Sequence, residues 1–164
     1  MQVPTRRYDA KAKATDPLIT QQKFDELNNN LEKLQKKLPN AMSEVSRLAE
    51  MGDFSENAAY QMAKGRLRGI HRRIQEIETQ LKHSAIIEAK QNTDSVHLGQ
   101  KVTVKSDGQT KTFQILGQTE TNPSAGIISR YSPLGTLLLG KKIGDIVEVQ
   151  SENKLIKYQI VSID

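Results

Sequence analysis

The sequence predicts an α+β protein in two parts, an N-terminal antiparallel coiled-coil hairpin followed by a small α+β domain. Three observations predict it. Phe24, Leu27, Leu31, Leu34, Leu38, Ala41, Val45 and Leu48 repeat at alternating spacings of three and four, and the repeat resumes at Tyr60, Ala63, Leu67, Ile70, Ile74, Ile77 and Leu81. Only the short break around Gly52 separates the two runs. Beyond residue 100 the period changes to two, the spacing of strands with one buried face.

An alternation of three and four is the seam of a coiled coil. Pro39 lies inside the first run without shifting its phase, so it is expected to bend the helix and not end it. Gly52 suits the close of a helix, and two seams of similar length joined by a short turn fold back on each other. Arms of about 30 residues give a rod of about 45 Å at ~1.5 Å per residue. The rest of the chain offers no helix long enough to cover the pair, which favours a protruding rod over a compact bundle.

The expected boundaries are a flexible N-terminal tail over 1–17, the hairpin over 18–87 with its acidic tip at 50–57, a polar linker over 88–99, and the second domain over 100–164. In that domain Lys101 to Lys105 alternates, Asp107-Gly108 reads as a hairpin turn, and Thr110 to Leu116 returns. Ile127 to Ser129 is a short strand. Ser132-Pro133 reads as an N-cap followed by a first-turn proline, opening a short helix through Leu139. Ile143 to Gln150 and Lys154 to Ile163 form a closing pair.

Composition narrows the function classes. The 164 residues include no Cys and no Trp, which excludes disulfides, thiolate metal sites and a cysteine nucleophile. The polar start lacks the apolar stretch of a secretion signal, and no run approaches the ~18 apolar residues of a membrane span. A soluble, cytoplasmic and monomeric protein is expected. The net charge of +5 is compatible with a nucleic-acid partner and does not demand one.

Two constellations carry chemistry. Glu50, Asp53 and Glu56 gather at the turn. Asp53 and Glu56 have the spacing of a capping box, so spacing alone leaves capping and chemistry both open. A pair of carboxylates at the end of a rigid arm, with no His or Cys nearby, suits a hard cation such as Mg²⁺. Two carboxylates alone hold it weakly, so a partner must complete the shell. Behind the tip, Lys64, Arg66, Arg68, Arg72 and Arg73 follow one another with no acidic residue from Asn57 to Gln75. Such a run reads either as a solvated coiled-coil edge or as a track for phosphates. His71, His83 and His97 lack metal-ligand spacing and read as surface residues. Gly65 and Gly69 are expected to allow close approach of the two arms.

The stretch Gly52-Asp53-Phe54-Ser55-Glu56-Asn57-Ala58-Ala59-Tyr60 resembles the tip signature of the Gre transcription elongation factors, Gly-Asp-x-Ser-Glu-Asn-Ala-x-Tyr. Lys64-Gly65-Arg66-Leu67-Arg68 with Arg72-Arg73-Ile74 looks closest to the GreB branch. Ser132-Pro133-Leu134, Leu138 to Lys141 and Gly144-Asp145 resemble the family's FKBP-like C-terminal domain, although Tyr131 stands where the family usually has Asn or Asp.

The resemblance implies a factor that binds bacterial RNA polymerase and enters its secondary channel. There it stimulates the polymerase's own cleavage of backtracked nascent RNA without being an enzyme itself. Asp53 and Glu56 would share a Mg²⁺ with the polymerase, and Ser55 and Asn57 would support the tip. Lys64, Arg66, Arg68, Arg72 and Arg73 would hold the extruded RNA, and Ser132 and Pro133 would help dock the C-terminal domain. Three other readings remain: a channel-binding inhibitor of the same fold, a prolyl isomerase or chaperone, and a plain nucleic-acid-binding coiled coil.

Overall fold

The computed structural model describes residues 16–51, 58–88, 94–151 and 154–164, with the side chain of Ser151 left aside. A short strand β1 (Leu18–Ile19) precedes the long helix α1 (Gln21–Glu50). The second arm, α2 (Ala58–His83), leads into β2 (Ala85–Ile86). β1 and β2 pair in parallel, with Ala85 N–H donating to the Pro17 carbonyl and Ile87 N–H to that of Ile19. This pair ties the two arms together at the foot of the rod.

Thr20 starts α1 as an N-cap, its hydroxyl accepting from Lys23 N–H at 3.1 Å. The helix runs unbroken through Pro39. Pro39 and Gln35, the residue whose carbonyl loses its usual donor, are both exposed, so water can serve the freed group. Every seam position named from the sequence is buried or half-buried in both arms. Ile19, Leu27 and Ile77 form the fully enclosed centre near the foot, with Phe24, Leu31, Leu34 and Leu81 against them. Leu27 beside Ile77, and Glu44 bonded to Arg66 nearer the turn, fix the arms as antiparallel.

The second part is a five-stranded sheet of β3 (Lys101–Ser106), β4 (Gln109–Leu116), β5 (Ile127–Ser129), β6 (Ile146–Ser151) and β7 (Lys154–Ile163), in the order β5-β4-β3-β7-β6. β4 and β5 pair in parallel, and the other neighbours are antiparallel. Asp107 and Gly108 both take positive φ, at 49° and 78°, which a tight β3–β4 turn requires. The short helix α3 (Pro133–Leu138) packs on β5 and β6. Val96, Val102, Val104, Ile115, Leu138, Val147 and Ile160 make the core.

Two expected boundaries move. Asp16, assigned to the tail, has a fully enclosed side chain and belongs to the folded body. Residues 1–15 lie outside the described residues. The stretch 88–99 was read as a polar linker, yet Val96 within it is only 1% exposed and sits in the sheet's core with Leu98 against it. Val96 and Leu98 stand two apart, as strand residues with one buried face do, but a single such pair in a polar stretch is too short to declare a strand. Val96 is held by backbone bonds from its N–H to Lys141 and from Gly140 N–H to its carbonyl.

Candidate functional site at the remote end of the rod

The tip residues Asp53, Ser55, Glu56 and Asn57 lie outside the described residues. The residues that bracket them do not. Met51 and Ala58 stand at the end of the rod remote from the sheet, about 45 Å from Thr20 along a 30-residue helix. Leu48 and Ala63, 8% and 1% exposed, are the last buried seam positions before the turn. Glu50 is exposed there, and Arg47 in the last turn of α1 reaches the Met51 sulfur at 3.9 Å. Among the described residues no cluster of three or more His, Cys, Asp or Glu could hold a metal. The expected donors are oxygens only, which fits a hard cation held in part by this chain and in part by another.

The cations behind the tip do not form the single-sign line that the sequence window suggests. Arg66 bonds to Glu44 of the opposite arm at 2.7 Å, and Arg72 and Arg73 both approach Glu76, at 3.8 and 3.1 Å. Lys64 lies over the Tyr60 ring at 5.7 Å. Arg68 is exposed and has no ion pair among the described residues. Residues seven apart share one side of a coiled-coil helix, so Lys64 lines up with His71 and Arg66 with Arg73. The positive surface therefore wraps both flanks of α2. Two carboxylates against five cations leave it positive. These pairs are mostly exposed, and exposed pairs contribute only ~0–1 kcal/mol, so they can exchange carboxylate for phosphate at little cost.

The two glycines of α2 overturn an expectation. A Cβ added at Gly65 or Gly69 would meet nothing within 4 Å, so neither glycine brings the arms together. Each then costs α2 about 1 kcal/mol of helix propensity with no packing in return. Gly65→Ala with Gly69→Ala is expected to raise the rod's melting temperature, a gain of ~1–2 kcal/mol by denaturant titration. A lower stability would mean that the glycines face a contact after all.

In the C-terminal domain Ser132 is fully occupied. Its hydroxyl caps α3 by accepting from Gly135 N–H at 3.0 Å, and donates to the Ser129 carbonyl at 2.7 Å. It therefore shapes the α3 entry, while Pro133 beside it is exposed. Tyr131 is 61% exposed and lies under the Arg130 guanidinium, 4.6 Å from ring centroid to Cζ. Phe113 and Tyr158 meet edge to face at 6.4 Å, and both pack against the core. His83 and His97 bond to a helix carbonyl and to the Ser95 hydroxyl. His97 is half-buried, where a surface position was expected.

Sequence reading missed a polar cluster where the rod meets the sheet domain. Asp16, Thr20, Glu120 and Arg130 come together there across 100 residues and more. One local hint existed. Thr20 is an N-cap whose third helical residue is Lys23, where a capping box has Glu or Gln, so its amide had to find an acceptor elsewhere.

The chain is thus a long two-helix rod on a small sheet domain, with the sequence Gly-Asp-Phe-Ser-Glu-Asn between its two arms. The chain matches the N-terminal domain of transcription elongation factors over residues 17–86 and the GreA/GreB C-terminal domain over residues 90–164. It is 36% identical over 148 residues to the transcription elongation factor GreA of Thermotoga neapolitana, covering 88% of this chain and 95% of that one. Over 150 residues it is 37% identical to GreA of Lactococcus lactis, covering 89% and 96%. The crystal structure of GreA factor homolog 1 (Gfh1) of Thermus thermophilus aligns at 24% identity with a TM-score of 0.42, over 91% of this chain and 99% of that one. The chain belongs to the GreA/GreB family of transcription elongation factors. No helix among its described residues is long and apolar enough to cross a membrane.

Proposed function

We propose that this chain binds bacterial RNA polymerase, reaches through its secondary channel, and stimulates the polymerase's own cleavage of backtracked RNA. The observation that carries the reading is the unbroken antiparallel rod, whose end remote from the sheet domain bears the family's acidic turn. Among the described residues the two helices pack on each other with no third layer over them, so the rod is no packing element. It suits delivery of a few side chains into a deep, narrow place.

In this reading the chain is not itself a hydrolase. Asp53 and Glu56 would hold a Mg²⁺ shared with the polymerase, which supplies charge stabilisation to phosphodiester hydrolysis. One of the two carboxylates would also orient the attacking water. Ser55 and Asn57 would hold the turn by hydrogen bonding. Arg68, free of an ion pair among the described residues, and Lys64, Arg66, Arg72 and Arg73 would engage the phosphates of extruded RNA. Pro133, on the α3 entry that Ser132 shapes, would contact the polymerase. The family supports the partner, and the exposed cations support the RNA contact.

The test is Mg²⁺-dependent RNA cleavage in arrested transcription complexes, with and without the protein. Strong stimulation supports the reading. Inhibition without cleavage would assign the chain to channel blocking. Arg66→Ala with Arg73→Ala is expected to reduce crosslinking to long extruded RNA several-fold, because each phosphate contact adds a salt-sensitive share of affinity. Unchanged crosslinking at several salt concentrations would remove RNA from the list of partners of this surface.

A further inference from the structure

The foot of the rod meets the sheet domain through part-buried polar bonds, and the apolar clusters of the two parts are separate. The rod's cluster around Ile19, Leu27 and Ile77 and the sheet's cluster around Val102, Ile115 and Ile160 have no member in common. A cleft of about 260 Å³ opens between them, lined by Thr20, Lys23 and Glu26 on the rod and Gln114, Asn122 and Ile127 on the domain. The polar bonds across the foot lie beside this cleft.

Three points of the foot are held. The Asp16 side chain, 0% exposed, accepts from Arg130 Nη2 at 3.0 Å, Leu18 N–H at 3.2 Å and Gln118 N–H at 3.2 Å. The Leu18 carbonyl sits so close to Gly117 that an added Cβ would lie 2.1 Å from it, which only glycine permits. Glu120 accepts from Thr20 N–H at 2.8 Å and from the Thr20 hydroxyl at 2.5 Å. Glu120 does for α1 what the third residue of a capping box does within one helix, but from the other domain. The start of α1 is thus completed by a residue 100 positions away, and the helix axis is set by where the sheet domain puts that carboxylate.

We infer that Asp16 and Glu120 are positioning residues for the tip, acting through the angle between rod and sheet domain. The inference rests on the cleavage reading above and deepens it. With a lever of about 45 Å, a tilt of about 1–2° at the foot moves the tip by ~1 Å. A displacement of that size is enough to cost on the order of 100-fold in a reaction that depends on exact placement. Residues far from the chemistry thereby decide whether the carboxylates arrive in register.

The absence of cysteine allows a direct measurement. Spin labels at Ser43→Cys on α1 and Lys111→Cys on β4 report the angle as a distance distribution in the free, full-length protein. The unmodified foot should give one narrow distribution. Asp16→Asn with Glu120→Ala should broaden it, and should lower cleavage stimulation by on the order of 100-fold while polymerase affinity changes only a few-fold. Glu120→Gln, a milder change, should broaden it less and reduce cleavage less in proportion. Asp107→Ala, which removes the exposed pair with Lys154, should change neither readout. An unchanged narrow distribution in the double variant would overturn the inference, and so would broadening with normal cleavage. Failure of the unsubstituted protein to stimulate cleavage would sink the cleavage reading while leaving the distance result intact.

Discussion

Asp53→Asn together with Glu56→Gln is expected to remove cleavage stimulation by on the order of 100-fold or more, with polymerase binding nearly intact. Both substitutions keep the size and hydrogen-bonding outline of the side chains while removing their charge. An amide still caps a helix, since Asn is among the favoured N-cap residues. The paired substitution therefore removes two negative charges with little change of shape, which isolates the proposed part of Asp53 and Glu56 in holding a divalent cation. Each single change should have a smaller effect than the pair, because one remaining carboxylate can still contribute a ligand. Competition with unmodified protein for arrested complexes reports binding, and gel analysis of released RNA reports cleavage. If the double variant cleaves at the normal rate, the tip carboxylates are caps and nothing more.

Ile77→Ala is expected to destabilise the rod by about 2–5 kcal/mol. Ile77 is 2% exposed and packs in one cluster with Ile19 and Leu27 at the foot. Among the described residues no further layer packs over the two helices to collapse into the space, so the cavity stays open. The loss should be local. The sheet's core shares no residue with the rod's, so amide protection in α1 and α2 should fall while that in β3, β4 and β7 holds. Hydrogen exchange resolved by segment distinguishes this from a single cooperative unit, in which protection would fall everywhere together.

Much of the fold was legible because it is encoded within a turn or two of chain. The seam residues of α1 and α2 are the buried and half-buried ones in both arms, since a heptad needs only neighbours three and four apart to declare a face. Asp107-Gly108 and Ser132-Pro133 stand where a hairpin turn and a helix start were expected, because φ preference and capping are local properties. The tip was legible as a motif, and its geometry lies outside the described residues. The five cations were legible as a run, but their partners were not. Glu44 reaches Arg66 from the other arm, and a sequence window around Arg66 contains no trace of it. The glycine pair misled in the same way, since GxxxG records a gap in the helix surface but not which way that gap faces.

By itself the sequence determined that there is a rod, where it turns, which residues line its seam, and that a sheet domain follows. Periodicity and capping depend on contacts within a few residues. Only the tertiary structure decided how the rod is mounted: Asp16 enclosed against Arg130, Glu120 closing the start of α1, Leu18 pressed on Gly117, and Val96 drawn from a polar stretch into the core. Those groups meet only after the chain has returned on itself over about a hundred residues. A buried carboxylate far along the chain finds its donors through the completed fold, and no local pattern can announce it.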